Sequence, residues 1–181
     1  MQTLHGIRFL PIARIDGTLL GLDSRWVGGP GVGLMVLLTL ATLAGQLSQD
    51  AGSPLWVRLC IAFSMVPAVV LTSLAHELGH VVASRLAGLS VRAVVLAPQG
   101  GVTIRGGSDN PAVNFRTALA GPLANAVFGT LCVWFAVGVP EGTLATFLIE
   151  LAALQLLTVA ANLVPCGPMD GQRMLAAWRA L

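Results

Sequence analysis

The chain has no tyrosine and no lysine, so its ten cationic side chains are all arginine. Charged residues make up only 10% of its 181 residues, where ordinary domains carry about 25%. No basic cluster stands out, and the formal net charge is only +2, which excludes a nucleic-acid partner. Cysteine is scarce as well. Cys60, Cys132 and Cys166 show no C-x-x-C spacing, so neither a disulfide framework nor a thiolate metal cluster is expected. The first thirty residues lack the continuous apolar core and small-residue cleavage site of a cleavable signal peptide. What fills the chain instead is apolar: 55% of it is hydrophobic, with a mean hydropathy of +0.82. Such a composition describes an integral membrane protein, read here as one domain over residues 1–181.

Four spans are predicted, at residues 26–48, 59–83, 118–138 and 143–164. Trp26 and Trp56 bracket the first, as interfacial aromatics do, and Pro67 is placed to kink the second. Residues 1–25 are not a span. Asp16-Gly17 between apolar-rich segments predicts a β-hairpin, with Pro11 on an edge strand. His5 lies there with no metal-binding partner nearby. Residues 90–105 predict a second hairpin beside the membrane, with strand formers Val91, Val94, Val95 and Leu96 before the turn Pro98-Gln99-Gly100-Gly101. Residues 170–181 read as a short amphipathic helix carrying Met174, Leu175, Trp178 and Leu181 on one side. The expected fold class is therefore an all-α membrane protein of about four core transmembrane helices, with short β-hairpins near the cytoplasmic face. Four spans with both termini inside leave every arginine cytoplasmic except Arg58, a strong positive-inside bias.

The second span carries the motif around which the chain is organised, His76-Glu77-Leu78-Gly79-His80. On a helix, four residues turn through about 400°, so His76 and His80 share a face and can grip one ion. Glu77 sits about 100° away and can reach a water without being a ligand. This H-E-x-x-H spacing is the zinc-hydrolase arrangement. The sixteen residues before it, Cys60 to Ala75, carry no charge. Catalytic zinc takes a third protein ligand, and Asp170 is the best candidate for it. Asp109 and Glu150 are weaker ones, and Cys166 reads as a bystander. Asn125 in the third span and His76 in the second both lie roughly 10 Å from the inner face. Asp170, beyond Pro165 and Pro168, can fold back to the same level. A mid-helix amide such as Asn125 needs a partner in lipid.

These residues and their order resemble the site-2 protease family of intramembrane zinc metalloproteases. The likeness rests on His76-Glu77-Leu78-Gly79-His80, the Gly100-Gly101 hairpin, Ala120-Gly121-Pro122-Leu123-Ala124-Asn125, and the run from Asn162 to Gly171. It extends over about residues 60 to 175, with Gln172 standing where many relatives carry a second glycine and Cys166-Gly167 a local variation. The resemblance implies one Zn2+ per chain on His76, His80 and Asp170, with Glu77 as general base. It implies Asn125 as a helper at substrate or oxyanion, and strand addition of substrate near Gly100 and Gly101. The implied partners are a transmembrane protein or peptide substrate and the lipid bilayer of a bacterial or archaeal cell; a homodimer is compatible with the sequence. With little chain after Asp170-Gly171, a minimal core without PDZ or CBS domains is expected. Two other classes fit the sequence less well. A zinc-binding scaffold without turnover would not need Glu77, and a small transporter predicts internal repeats that are absent.

Overall fold

The computed structural model describes residues 2–4, 7–26, 29–49, 53–97 and 100–181. His5, Pro98 and Gln99 lie outside the described residues. The elements are β1 (Gln2–Leu4), β2 (Ile7–Ile15), β3 (Thr18–Asp23), α1 (Gly29–Gln49), α2 (Leu55–Leu86), β4 (Val91–Ala97), β5 (Gly100–Arg105), α3 (Pro111–Gly138), α4 (Thr143–Leu163) and α5 (Asp170–Trp178).

Helices α1 to α4 are each long and apolar enough to cross a membrane. They leave large apolar side chains uncovered, including Phe63, Trp134, Val137 and Leu157. An aqueous surface does not tolerate apolar area on that scale, but lipid covers it. Between the helices lies a core of Met65, Ala68, Cys132, Leu151 and Ala152, with Phe128 and Phe147 packed on it. One pair of buried polar side chains ties α4 to α2. Gln155 Nε2 on α4 donates to Thr72 Oγ1 on α2 at 2.6 Å, and Thr72 in turn donates to the Ala68 carbonyl. Helix α2 continues through Pro67, and α3 continues through Pro122. Pro122 thus stands in mid-helix. The third helix begins earlier than residue 118, where Asn110 Oδ1 accepts from the Ala112 and Val113 amides and Pro111 takes the first helical position.

The two predicted hairpins, β2-β3 and β4-β5, are joined with the short strand β1 into one five-stranded sheet of order β1-β2-β3-β4-β5. All neighbours are antiparallel except β3 and β4, which run parallel from Leu19↔Ala93 to Leu22↔Leu96. A parallel pair needs a long crossover, and here the crossover is α1 and α2. At the first hairpin turn, Asp16 and Gly17 have φ of 46° and 78°, the positive values a tight two-residue hairpin demands. Pro11 does not lie on an outer strand, because β2 has a neighbour on both sides. However, β1 covers only Ile7–Phe9, so the edge is locally open beyond it, and the register shifts between Pro11 and Ala13. Trp26 is no interfacial aromatic either. It is buried, and its Nε1 donates to the Leu96 carbonyl at 2.9 Å. Val94 and Leu96 pack on Val81 and Leu74, which fixes the sheet against the second half of α2, where the motif sits.

Candidate metal centre

Helix spacing does for α2 what the sequence requires: His76, Glu77 and His80 are all buried, at 6%, 2% and 6% exposure. Their donor atoms lie within 4.8 Å of one another. The ring nitrogens are aimed. His80 Nδ1 donates to the Thr117 carbonyl of α3 at 2.7 Å, which leaves Nε2 with a free lone pair. His76 Nε2 lies 3.1 Å from His80 Nε2.

Asp170 completes the triangle. The chain reverses over residues 164–169, with Cys166 N donating to the Val164 carbonyl and Gly167 at φ +55°, and α5 starts at Asp170. Asp170 is 3% exposed. Its Oδ2 is 3.0 Å from His76 Nε2 and 3.2 Å from His80 Nε2. Arg173 Nη1, one turn on, approaches Oδ1 at 3.5 Å.

Three donors, two nitrogens and one carboxylate oxygen, therefore stand 3.0–3.2 Å apart. A tetrahedral zinc with bonds of about 2.0–2.1 Å spaces its donors about 3.3 Å along each edge. The set fits that ion in chemistry and in size. Gly121 of α3 makes room for it: a Cβ there would collide with His80 Nε2 and come within 2.7 Å of His76 Nε2.

Asn125 stands behind His76 on α3. It is fully buried and does not line the site cavity. Its Nδ2 is 3.3 Å from His76 Nδ1, while its Oδ1 has no partner. The oxygen and nitrogen of an amide exchange by a half-turn. A His76 that offers Nε2 to an ion keeps its proton on Nδ1, and the turned amide accepts that proton's hydrogen bond on the otherwise orphaned Oδ1. Asn125 therefore adjoins His76 rather than the cavity lining.

The cavity over the triad has a volume of about 270 Å³. Gly100, Gly101 and Thr103 of β5 form one wall, and Asn162, Met169 and Arg173 contribute to another. Thr103 Oγ1 donates to Glu77 Oε2 at 2.6 Å. Neither Thr103 nor Thr117 was singled out from the sequence. Thr117 acts through its main chain, which leaves no trace in residue type; Thr103 lies two residues beyond Gly101 on the same strand face, a signal available only once the strand is known to lie on α2.

The other candidates fall elsewhere. Asp109 lines a separate cavity with Arg105 and Arg173. Glu150 lines another with Thr42 and Met65. Cys166 is exposed and outside the site cavity.

Residues 35–167 match the family described as Peptidase M50B-like. Rip3 of Mycobacterium tuberculosis, which bears the name of a zinc metalloprotease, is 34% identical over 180 residues, covering 94% of this chain and 44% of that protein. A zinc metalloprotease of Methanocaldococcus jannaschii is 31% identical over 106 residues, covering 56% of this chain and 30% of that protein. The chain thus spans less than half the length of these curated relatives. In fold it is similar to the solved site-2 protease of Methanocaldococcus jannaschii, with a TM-score of 0.66 over 96% of this chain and 72% of that one, at 20% identity. A buried H-E-x-x-H helix among four membrane-length helices, together with these matches, makes this chain a member of the site-2 protease family of zinc metalloproteases.

Proposed function

We propose that this chain is a zinc-dependent intramembrane endopeptidase that cleaves a transmembrane segment of a membrane-protein substrate near the cytoplasmic face. Its service would be regulated intramembrane proteolysis or signal-peptide clearance. The observation that carries the reading is the convergence of His76 Nε2, His80 Nε2 and Asp170 Oδ2, with Glu77 beside them, between helices long enough to cross a bilayer.

His76, His80 and Asp170 would hold one zinc per chain, which would supply Lewis-acid polarisation of a carbonyl and lower the pKa of a water. Glu77 takes the attacking water's proton and returns it to the leaving amine. Asn125 holds the His76 ring in the tautomer that offers Nε2, and so serves substrate only through that ligand. A substrate helix hides its carbonyls in its own hydrogen bonds and has to open locally before attack. The outer edge of β5, from Gly100 onward, pairs with no other strand among the described residues and lines the cavity. An opened segment can add there as a further strand, which offsets the lost helical bonds.

The test is co-expression with a panel of tagged single-span membrane proteins. Wild type shortens at least one of them in a zinc-dependent way. Glu77→Gln retains its zinc but loses cleavage by about 10²–10⁴-fold. Unchanged cleavage by Glu77→Gln removes the general-base role. Zinc binding with no substrate shortened across the panel favours the scaffold instead.

A further inference from the structure

We propose that Thr103 is a positioning residue for Glu77, so that the strand offered to the substrate also aligns the base that acts on it. The inference rests on the proteolytic reading above. Side chains of a strand alternate between its faces, and one face of β5 carries Gly101, Thr103 and Arg105. All three meet the site helices. A Cβ on Gly101 would run into the Glu77 side chain, so the glycine lets the strand lie directly on that carboxylate. Thr103 Oγ1 donates to Glu77 Oε2 at 2.6 Å, the short distance of a hydroxyl bonded to a charged oxygen. Arg105 Nη2 donates to Thr117 Oγ1 at 2.9 Å, and the carbonyl of that same Thr117 receives His80 Nδ1–H.

Glu77 gains no such constraint from its own helix. Among the described residues, Thr103 is the sole side chain donating to its carboxylate. Three side-chain torsions set where the Glu77 carboxylate oxygens lie, and a free carboxylate would sweep an arc through the cavity. The hydroxyl fixes one oxygen and thereby sets where the other points. β5 is itself held in register by β4, with Thr103 opposite Val94 and Val102 opposite Val95. Its main chain is the edge to which a substrate strand adds. Seating of the scissile segment and alignment of the base are therefore fixed by one element, and an error in one is shared by the other.

The experiment uses zinc-loaded full-length chain in detergent and a tagged single-span protein that wild type cuts. Thr103→Val keeps the shape and removes the hydroxyl; Thr103→Ser keeps the hydroxyl and removes the methyl. The proposal expects Thr103→Val to lose about 10- to 100-fold in kcat, the worth of a hydrogen bond to a charged group. KM and zinc content stay at the wild-type value, and Thr103→Ser recovers most of the rate. A second readout needs no turnover. The chain has three glutamates, Glu77, Glu141 and Glu150, so 13C-glutamate labelling gives an interpretable infrared carboxyl spectrum. The band that disappears in Glu77→Gln should shift in Thr103→Val and return in Thr103→Ser. Wild-type kcat in Thr103→Val, or a serine variant as slow as the valine one, overturns the proposal. If wild type cuts nothing, the proteolytic reading has failed, and an unshifted infrared band in Thr103→Val then overturns this contact separately.

Discussion

At the scale of single residues, the site is decided by which ring nitrogen each histidine presents. The Thr117 carbonyl does this for His80 and the Asn125 amide for His76, so both Nε2 atoms face Asp170 Oδ2. Gly121 is as much part of this as the ligands. Any side chain there enters the space shared by the two Nε2 atoms. Gly121→Val should therefore lower zinc affinity by at least about tenfold, the smaller of the effects seen when ligand-orienting partners are removed. Competition with a chromophoric chelator measures it, and zinc affinity equal to wild type would show that the rings have another way to converge. His76, Glu77 and His80 were legible because a helix's period places them together. Asp170 was legible as a candidate because prolines stop α4 just before it. That Asn125 lies against His76 was not legible, since the sequence does not say which face of α3 meets α2.

At the scale of elements, α2 is the axis: it meets α1, α3, α4, β4 and β5. Its tie to α4 is the Gln155–Thr72 bond, with Gln155 fully buried. Interhelical hydrogen bonds in membranes contribute about 0.6 kcal/mol on average and up to about 1.7. Gln155→Leu should cost close to the upper figure, because it also strands the Thr72 hydroxyl's second interaction in a packed core. A thermal or denaturant titration in detergent checks this, with the Thr72→Val/Gln155→Leu double variant costing less than the sum of the singles. Additive losses would mean the two side chains do not act as a pair. The four apolar helices and the Asp16-Gly17 hairpin could be read from composition and turn chemistry. The union of the two hairpins could not. It depends on β3 and β4 pairing in parallel across α1 and α2, and no local pattern records such a pairing. Trp26 misled for the same reason: its place at the start of a span looked interfacial, whereas the sheet that buries it is assembled from distant segments.

At the scale of the whole molecule, the sheet and the triad lie towards one end of the helices. The positive-inside bias assigns that end to the cytoplasm, with both termini there, as an expectation still to be tested. A fluorescent protein fused after Leu181 should fluoresce, and an alkaline phosphatase fused at the same point should stay inactive; the opposite pair of results would invert the topology. Membership of the site-2 protease family accounts for the order of motifs along the chain. The match covers 44% and 30% of the curated relatives' own length, so the determinants of their substrate choice are not assigned to this chain.

In the proposed centre, two imidazoles and the Asp170 carboxylate hold one zinc ion between the membrane helices. Metal analysis of purified protein tests it most directly, after exposure to a mild chelator that strips loosely held ions. The expected result is about one zinc per chain in wild type and in Glu77→Gln, and little in His76→Ala, His80→Ala or Asp170→Ala. A full zinc complement in folded Asp170→Ala, or none in wild type prepared with zinc, would contradict it.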